Sequence, residues 1–280
     1  MSRPRFQRIY VEITNRCNLR CDFCPGTRRL PGFLPAADFA RLAPQLKEFT
    51  GDVYLHVMGE PLLHPELGTI LDLCAAHGLR ASVTTNGTLL PTAGDALFHP
   101  AVRKVSVSLH SMEGNGRTAL QDYLDGVWDF CRRGEMVRCL RLWNIGGGDR
   151  LNGEILRFLE EKLGRDPLST PGVWKGVWVL GDRLFLEQAE RFDWPDLSAE
   201  TAEVQFCQGL RNQVAVLWNG TVVPCCLDHE GDIPLGNLFT QPLGEILAGP
   251  RAQAIYEGFS RRQPAEELCR RCGYATRFNR

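Results

Sequence analysis

Cys17, Cys21 and Cys24 follow directly on an alternating apolar run from Arg8 to Thr14 and are closed off by Pro25-Gly26. Iron–sulfur cubes normally take four cysteine ligands, so a compact group of three at the end of a first strand implies an iron left open for a small molecule. The same i, i+4, i+7 spacing would also place the thiols on one face of a helix, which leaves a buried thiol stripe or a structural zinc as the plainer alternatives. A second set, Cys207, Cys225, Cys269 and Cys272, ends in a Cys-x-x-Cys pair. Between its first two members, Asn219-Gly220 suits a tight hairpin turn that would bring Cys225 back towards Cys207, so that the tail pair completes a four-thiolate site. Zinc competes for that site, since four cysteines ending in Cys-x-x-Cys also describe a zinc ribbon. Cys226, next to Cys225, is the alternative ligand.

These groups need elements to place them. From residue 8 to about 180, short β-branched runs alternate with amphipathic stretches, the pattern of a parallel sheet built from βα repeats. Six strands are expected at 8–14, 52–58, 80–85, 104–109, 135–143 and 173–180, which implies a partial barrel, not a closed one of eight. The helix after His64-Pro65 has Leu67, Ile70, Leu71 and Cys74 on one stripe and Gly78 as its stop. Cys74 is therefore expected in the core, as are Cys131 and Cys139. Periodicity lapses after Phe192-Asp193-Trp194-Pro195, and the expected boundary divides a domain at 1–195 from one at 196–280. In the second, Val214 to Trp218 and Thr221 to Val223 flank the hairpin turn, and Leu243, Ile246 and Leu247 mark a short helix that Pro250 interrupts or restarts.

Polar residues at strand C-termini lie where barrel enzymes place their sites. Met58-Gly59-Glu60-Pro61 follows strand two, with a glycine that lets backbone approach a ligand and a carboxylate that suits an ammonium. Thr84-Thr85-Asn86-Gly87 ends strand three, and Ser106, Ser108 and His110 alternate along strand four. Arg141 in strand five could grip a carboxylate through two bonds. Gly146-Gly147-Gly148 lacks the Lys and Ser/Thr of a phosphate loop and reads as a flexible loop. His56 and His64, either side of the Gly-Glu-Pro turn, read as hydrogen-bonded structural residues. His110, Asp149, Asp228 and His229 are open candidates for a base.

With 280 residues, 44% hydrophobic, 23% charged and a net charge of −1, the chain describes an ordinary soluble protein that can bury a large core. It lacks the basic excess that nucleic acid or an anionic membrane attracts. Met1 to Phe6 run into the first strand without a signal-peptide core, and no stretch of about 18 apolar residues exists, so a cytoplasmic location is expected. Eleven cysteines in a reducing compartment point to metal ligands over disulfides.

The stretch Cys17-Asn18-Leu19-Arg20-Cys21-Asp22-Phe23-Cys24 resembles the signature of the radical S-adenosylmethionine (radical SAM) enzymes, including the aromatic before the third cysteine. Gly59-Glu60-Pro61 resembles that family's Gly-Gly-Glu-Pro element, with Met58 in the first position. The C-terminal cysteines resemble a SPASM domain in its shortened "twitch" form. The resemblance implies an α/β fold: a partial (β/α)6 radical SAM barrel followed by a small cysteine-rich domain with a β-hairpin. It implies a [4Fe-4S] cluster on Cys17, Cys21 and Cys24 that binds S-adenosylmethionine. The element at Gly59, Glu60 and Pro61 would take the cofactor's amino group, Asn86 and Ser108 its sugar or amino-acid part, Phe23 its adenine and Arg141 its carboxylate. No cysteine follows Cys272, so one auxiliary [4Fe-4S] cluster is expected, on Cys207, Cys225, Cys269 and Cys272. By the same analogy the cofactor yields a 5′-deoxyadenosyl radical that takes a hydrogen atom, and the auxiliary cluster accepts an electron. The expected activity is a two-electron oxidation of a small molecule, such as an alcohol on an aminocyclitol or sugar, with electrons from a flavodoxin- or ferredoxin-type donor. The alternatives are a peptide-modifying maturase and a non-catalytic iron–sulfur or zinc-binding protein.

Overall fold

The computed structural model describes residues 6–113 and 119–279; Met1 to Arg5, Gly114 to Thr118 and Arg280 lie outside them, and with them most of the lead-in to strand one. Among the described residues ten strands form one sheet: β1 (Arg8–Val11), β2 (Asp52–Tyr54), β3 (Arg80–Thr85), β4 (Val102–Ser108), β5 (Val137–Ile145), β6 (Val177–Gly181), β7 (Leu184–Glu190), β8 (Gln213–Val216), β9 (Thr221–Val223) and β10 (Gly236–Asn237). Their order is β10-β9-β8-β1-β2-β3-β4-β5-β7-β6. The run from β8 through β7 is parallel, while β6, β9 and β10 add antiparallel margins.

The described helices that connect or cover these strands are α1 (Ala36–Lys47), α2 (Leu67–Ala76), α3 (Leu90–Ala93), α4 (Leu120–Arg133), α5 (Asn152–Leu163), α6 (Leu243–Ala248), α7 (Pro250–Ser260) and α8 (Glu267–Arg270). In α2 the expected stripe of Leu67, Ile70, Leu71 and Cys74 is buried, and Gly78 follows with φ +62°. Pro250 restarts the chain as the first residue of α7, where its missing N–H costs nothing. No described helix is long and apolar enough to cross a membrane.

The sheet divides its residues by alternation. Ile9, Val11, Val53, Val83, Val105, Val107, Leu140 and Leu142 enter the large core shared with the helices. Tyr10 and Tyr54 face the other way, onto a smaller cluster with Val57, Met58, Leu217 and Val223. Cys74, Cys131 and Cys139 are buried in the core, and burial pushes each thiol up to about 12.

The sixth strand departs from expectation. The segment at 173–180 contributes β6, an antiparallel margin, and the parallel partner of β5 is the following strand β7. The turn between them, Gly181 to Arg183, carries Arg183 at φ +49°, a left-handed turn without the Asn-Gly or Asp-Gly signal that marks such hairpins. Strands one and two are shorter than expected, because the chain on either side of the first cysteine loop leaves the sheet, and Glu60 turns back to bond it. His110 also leaves strand four, lying in a 3-10 turn at Leu109–Met112. The C-terminal hairpin is not set apart: β8 pairs with β1 from Arg8↔Gln213 to Val11↔Val216.

Candidate active site

The first cysteine loop starts where β1 ends and is held by three neighbours. Gly59, at φ +81°, lies so close that an added Cβ would stand 2.4 Å from Thr14 O and 2.8 Å from Arg16 O, both backbone atoms. Only glycine fits there. Glu60 N–H donates to Arg16 O at 2.8 Å, immediately before Cys17. Asn86 reaches across from the end of β3, its amide 2.9 Å from Asn18 Oδ1 and 3.8 Å from Cys17 Sγ.

The Glu60 carboxylate is 1% exposed, and it accepts from Leu62 N–H (3.1 Å) and Thr85 Oγ1 (2.7 Å) on one oxygen and Asn86 N–H (2.7 Å) on the other. A carboxylate offers about four acceptor positions, so one remains. Burial raises its pKa against these three bonds, and a cation at the remaining position would offset that.

Sulfur-directed donors surround the thiols. Cys17 Sγ accepts from Leu19 N–H at 3.4 Å, and Cys24 receives Gly26 N–H. Burial raises both thiols, a state that binding to a metal cluster reverses by stabilising the thiolate.

The second group draws on three segments. Cys207, Cys225, Cys269 and Cys272 lie close enough that the charges of Cys207, Cys272 and Cys269 add to burial in raising Cys225 well above an ordinary thiol. Gly209 fits between, its N–H 3.4 Å from Cys207 Sγ and its Cβ direction 3.9 Å from both Cys207 Sγ and Cys225 Cβ. Cys272 receives the N–H groups of Ala275 and Tyr274. All eleven cysteines are free thiols. Among the described residues no three His, Cys, Asp or Glu side chains converge as one ion requires. Thiols that face one another without closing on a point fit a cube, which seats each ligand on a separate iron.

Cys226 points the other way. It is buried against Tyr10, whose hydroxyl donates to its sulfur, and it packs on the small inner cluster. Cys24 packs on the same cluster, so one apolar wall runs from the first cysteine loop to the second.

The other sequence candidates divide between lining and bracing. Arg141 faces inward, but its Nε is 3.1 Å from Glu187 and its Nη1 3.4 Å from Thr84 Oγ1, with Trp143 below at 4.4 Å. Lys104 shares Glu187 at 2.9 Å, and the two cations outweigh desolvation and lower that carboxyl to about 2. Ser108 pairs with Arg141 in register at the end of β4. Phe23 packs 4.6 Å from His110, whose Nδ1 donates to Arg141 O at 3.0 Å. Burial lowers His110 to about 4, and it braces Phe23 against β5. Asp228 spends its carboxylate on Asp232 and Ile233 N–H groups. His229 Nδ1 bonds Leu227 O, and Asp149 stays in the glycine loop, 3.4 Å from Gly146 N.

Sequence reasoning missed Glu12 and Arg29. Glu12 is fully buried and takes a two-bond grip from Arg29 at 2.7 and 2.6 Å, together with the N–H groups of Met58 and Trp218 at 3.2 Å each. Arg29 Nε also donates to His229 O at 2.7 Å. The pair thus ties the first cysteine loop, the Gly-Glu-Pro turn and the C-terminal hairpin together. The signal available was a charged residue on the apolar strand one.

Family models agree with this arrangement: the radical SAM superfamily model matches residues 11–138, and the iron–sulfur cluster-binding SPASM domain matches residues 207–273. The chain belongs to the radical SAM superfamily and carries a C-terminal SPASM domain. A radical SAM domain binds a [4Fe-4S] cluster and S-adenosylmethionine, and a SPASM domain binds auxiliary iron–sulfur clusters.

Among curated relatives, the GTP 3′,8-cyclase of Aquifex aeolicus (strain VF5) is 31% identical over 40% of this chain and 37% of its own length. A tungsten-containing aldehyde ferredoxin oxidoreductase cofactor-modifying protein of Pyrococcus furiosus is 36% identical over 29% of this chain and 24% of its own. The chain thus spans well under half the length of either relative. Of solved structures, BtrN in complex with AdoMet and 2-DOIA superposes with a TM-score of 0.63 at 18% identity, over 95% of this chain and 92% of that one. The anSMEcpe structure with AdoMet and the Cp18Cys peptide gives 0.58 at 16% identity, over 89% and 82%. These likenesses establish the fold.

Proposed function

We propose that this protein carries out a two-electron oxidation of a C–H bond in a small polar molecule, such as an alcohol on an aminocyclitol. The observation that carries it is the apolar wall joining Cys24 to Cys226, which sets a dry space against both cysteine groups at once. When bound, the cofactor pair supplies a 5′-deoxyadenosyl radical that removes a hydrogen atom. Cys17, Cys21 and Cys24 hold the first cluster. Cys207, Cys225, Cys269 and Cys272 hold one auxiliary cluster, which suits an electron acceptor beside the substrate.

The chain's own residues orient and shield. The remaining acceptor position of Glu60 receives the cofactor's ammonium, with Gly59 and Pro61 fixing the turn. Asn86 and Ser108 border its sugar or amino-acid part, and Phe23 its adenine. Arg141 keeps donors beyond those given to Glu187 and Thr84, and these suit the cofactor carboxylate. The full-length fold likeness to BtrN, a protein solved with 2-DOIA, supports an aminocyclitol-sized substrate.

The test is anaerobic reconstitution to about eight irons, followed by incubation with S-adenosylmethionine, a flavodoxin- or ferredoxin-type reductant and 2-deoxy-scyllo-inosamine. A ketone product matched by 5′-deoxyadenosine is expected. Cofactor cleavage that leaves the aminocyclitol untouched sinks the reading. A peptide substrate is the second reading, favoured by Val173 and Trp174, which are 93% and 76% exposed beside the margin strand β6.

A further inference from the structure

His56 breaks the pattern of the buried histidines. His64 satisfies both ring nitrogens, Nε2 donating to Leu34 O at 2.9 Å and Nδ1 accepting from Glu66 N–H at 3.1 Å. His110 gives its Nδ1 proton to Arg141 O. Nδ1 of His56 is buried without any hydrogen-bond partner. A buried polar atom left unpaired costs free energy, and native structures keep few of them.

Its surroundings explain what would relieve that cost. His56 continues β2 past Tyr54 on the same inner side, and its ring stands edge-on to Tyr10 at 5.5 Å and tilted to Tyr54 at 6.0 Å. Tyr10 in turn bonds Cys226 on the wall shared with Cys24. Part of the residue's surface remains open. Burial and the nearby charge of Arg141 lower the imidazole to about 3, so it stays neutral and keeps one nitrogen as an acceptor. Neither tyrosine ring offers it a donor.

We infer that His56 is a substrate-binding residue whose ring nitrogen accepts a hydrogen bond from a hydroxyl or ammonium group of the substrate. The inference rests on the oxidative reading above and narrows it: the substrate presents a donor next to the apolar wall. The plain alternative is that the ring only packs on the two tyrosines.

Two variants separate these roles. Asparagine places an amide oxygen where Nδ1 stands and loses the ring; phenylalanine keeps the ring and loses the nitrogen. Reconstituted wild type, His56→Asn and His56→Phe are compared with 2-deoxy-scyllo-inosamine, GTP and a cysteine-containing peptide as probes. Iron content and substrate-free cofactor cleavage confirm that each variant is folded and loaded. With whichever probe the wild type converts, His56→Phe is expected to lower product formation about ten- to a hundredfold while His56→Asn retains most of it. Wild-type conversion of the aminocyclitol with unchanged turnover in His56→Phe overturns the inference and leaves the oxidative reading standing. Conversion of only GTP or peptide, with the contrast intact, overturns the aminocyclitol reading and upholds His56. Conversion of none overturns both.

Discussion

The two cysteine groups are built on opposite plans. Cys17, Cys21 and Cys24 come from one short loop that cannot hold its own shape. It is steadied from outside by Gly59, by Asn86 and by the Glu12–Arg29 pair, and Cys17 stays exposed. Cys207, Cys225, Cys269 and Cys272 come from three segments, are more deeply enclosed and carry their own N–H donors in the adjoining backbone. A ligand-binding cluster needs an approach, and an electron acceptor needs enclosure. The first group's weakness is therefore in its braces, and the second's in its assembly.

The largest test of this contrast is to remove one group and leave the other. Joint replacement of Cys269 and Cys272 by alanine should lower iron from about eight to about four while cofactor cleavage persists. Iron analysis together with 5′-deoxyadenosine formation decides it, and loss of all iron would refute independent sites. Cys226→Ala should keep about eight, because that thiol faces Tyr10.

The braces come next. Glu12→Gln should destabilise the chain by about 3 kcal/mol, because it leaves Arg29 buried beside a neutral partner. Denaturant unfolding measures this, and a change under about 1 kcal/mol would show the pair to be dispensable. Gly59→Ala should cost about 2 kcal/mol or more from its positive φ and its contact with Thr14 O. A normal melting temperature would contradict the close fit.

A smaller effect distinguishes the inner wall from both loops. His56 is neutral in the fold and lowered from 6.5 to about 3. The unfolded chain therefore binds the extra proton first: this stability is present in full above about pH 6.5 and is lost as pH falls towards about 3. Glu187, lowered from 4.5 to about 2, contributes stability that is present above about 4.5 and lost as pH falls towards about 2. Unfolding followed from about pH 7 to about pH 4 should show a loss in wild type that is reduced in His56→Phe. Equal slopes would mean that the imidazole titrates normally.

Much of the site was legible in order along the chain. A three-cysteine loop after strand one, Gly-Glu-Pro after strand two and Asn86 after strand three fall at strand ends because βα repeats put them there. The hairpin at Asn219-Gly220 was legible because Gly220, at φ +83°, meets Asn237 and Phe239 too closely for a side chain. The β6–β7 turn was not, since Arg183 adopts its left-handed conformation without a turn signature. His56 and His64 read alike in sequence and differ only in what surrounds each ring.

Residue type and spacing by themselves determined the chemistry available to this protein: three thiols in one loop, four more later, and the alternation that makes a parallel sheet. Those are local properties, since ligand chemistry and backbone preference act over a few residues. Only the tertiary structure decided that Cys225 and Cys226 face opposite ways, that Glu12 joins three segments and that His56 lacks a partner. Each depends on which distant groups pack against a side chain, and that is settled by burial and pairing across the whole sheet.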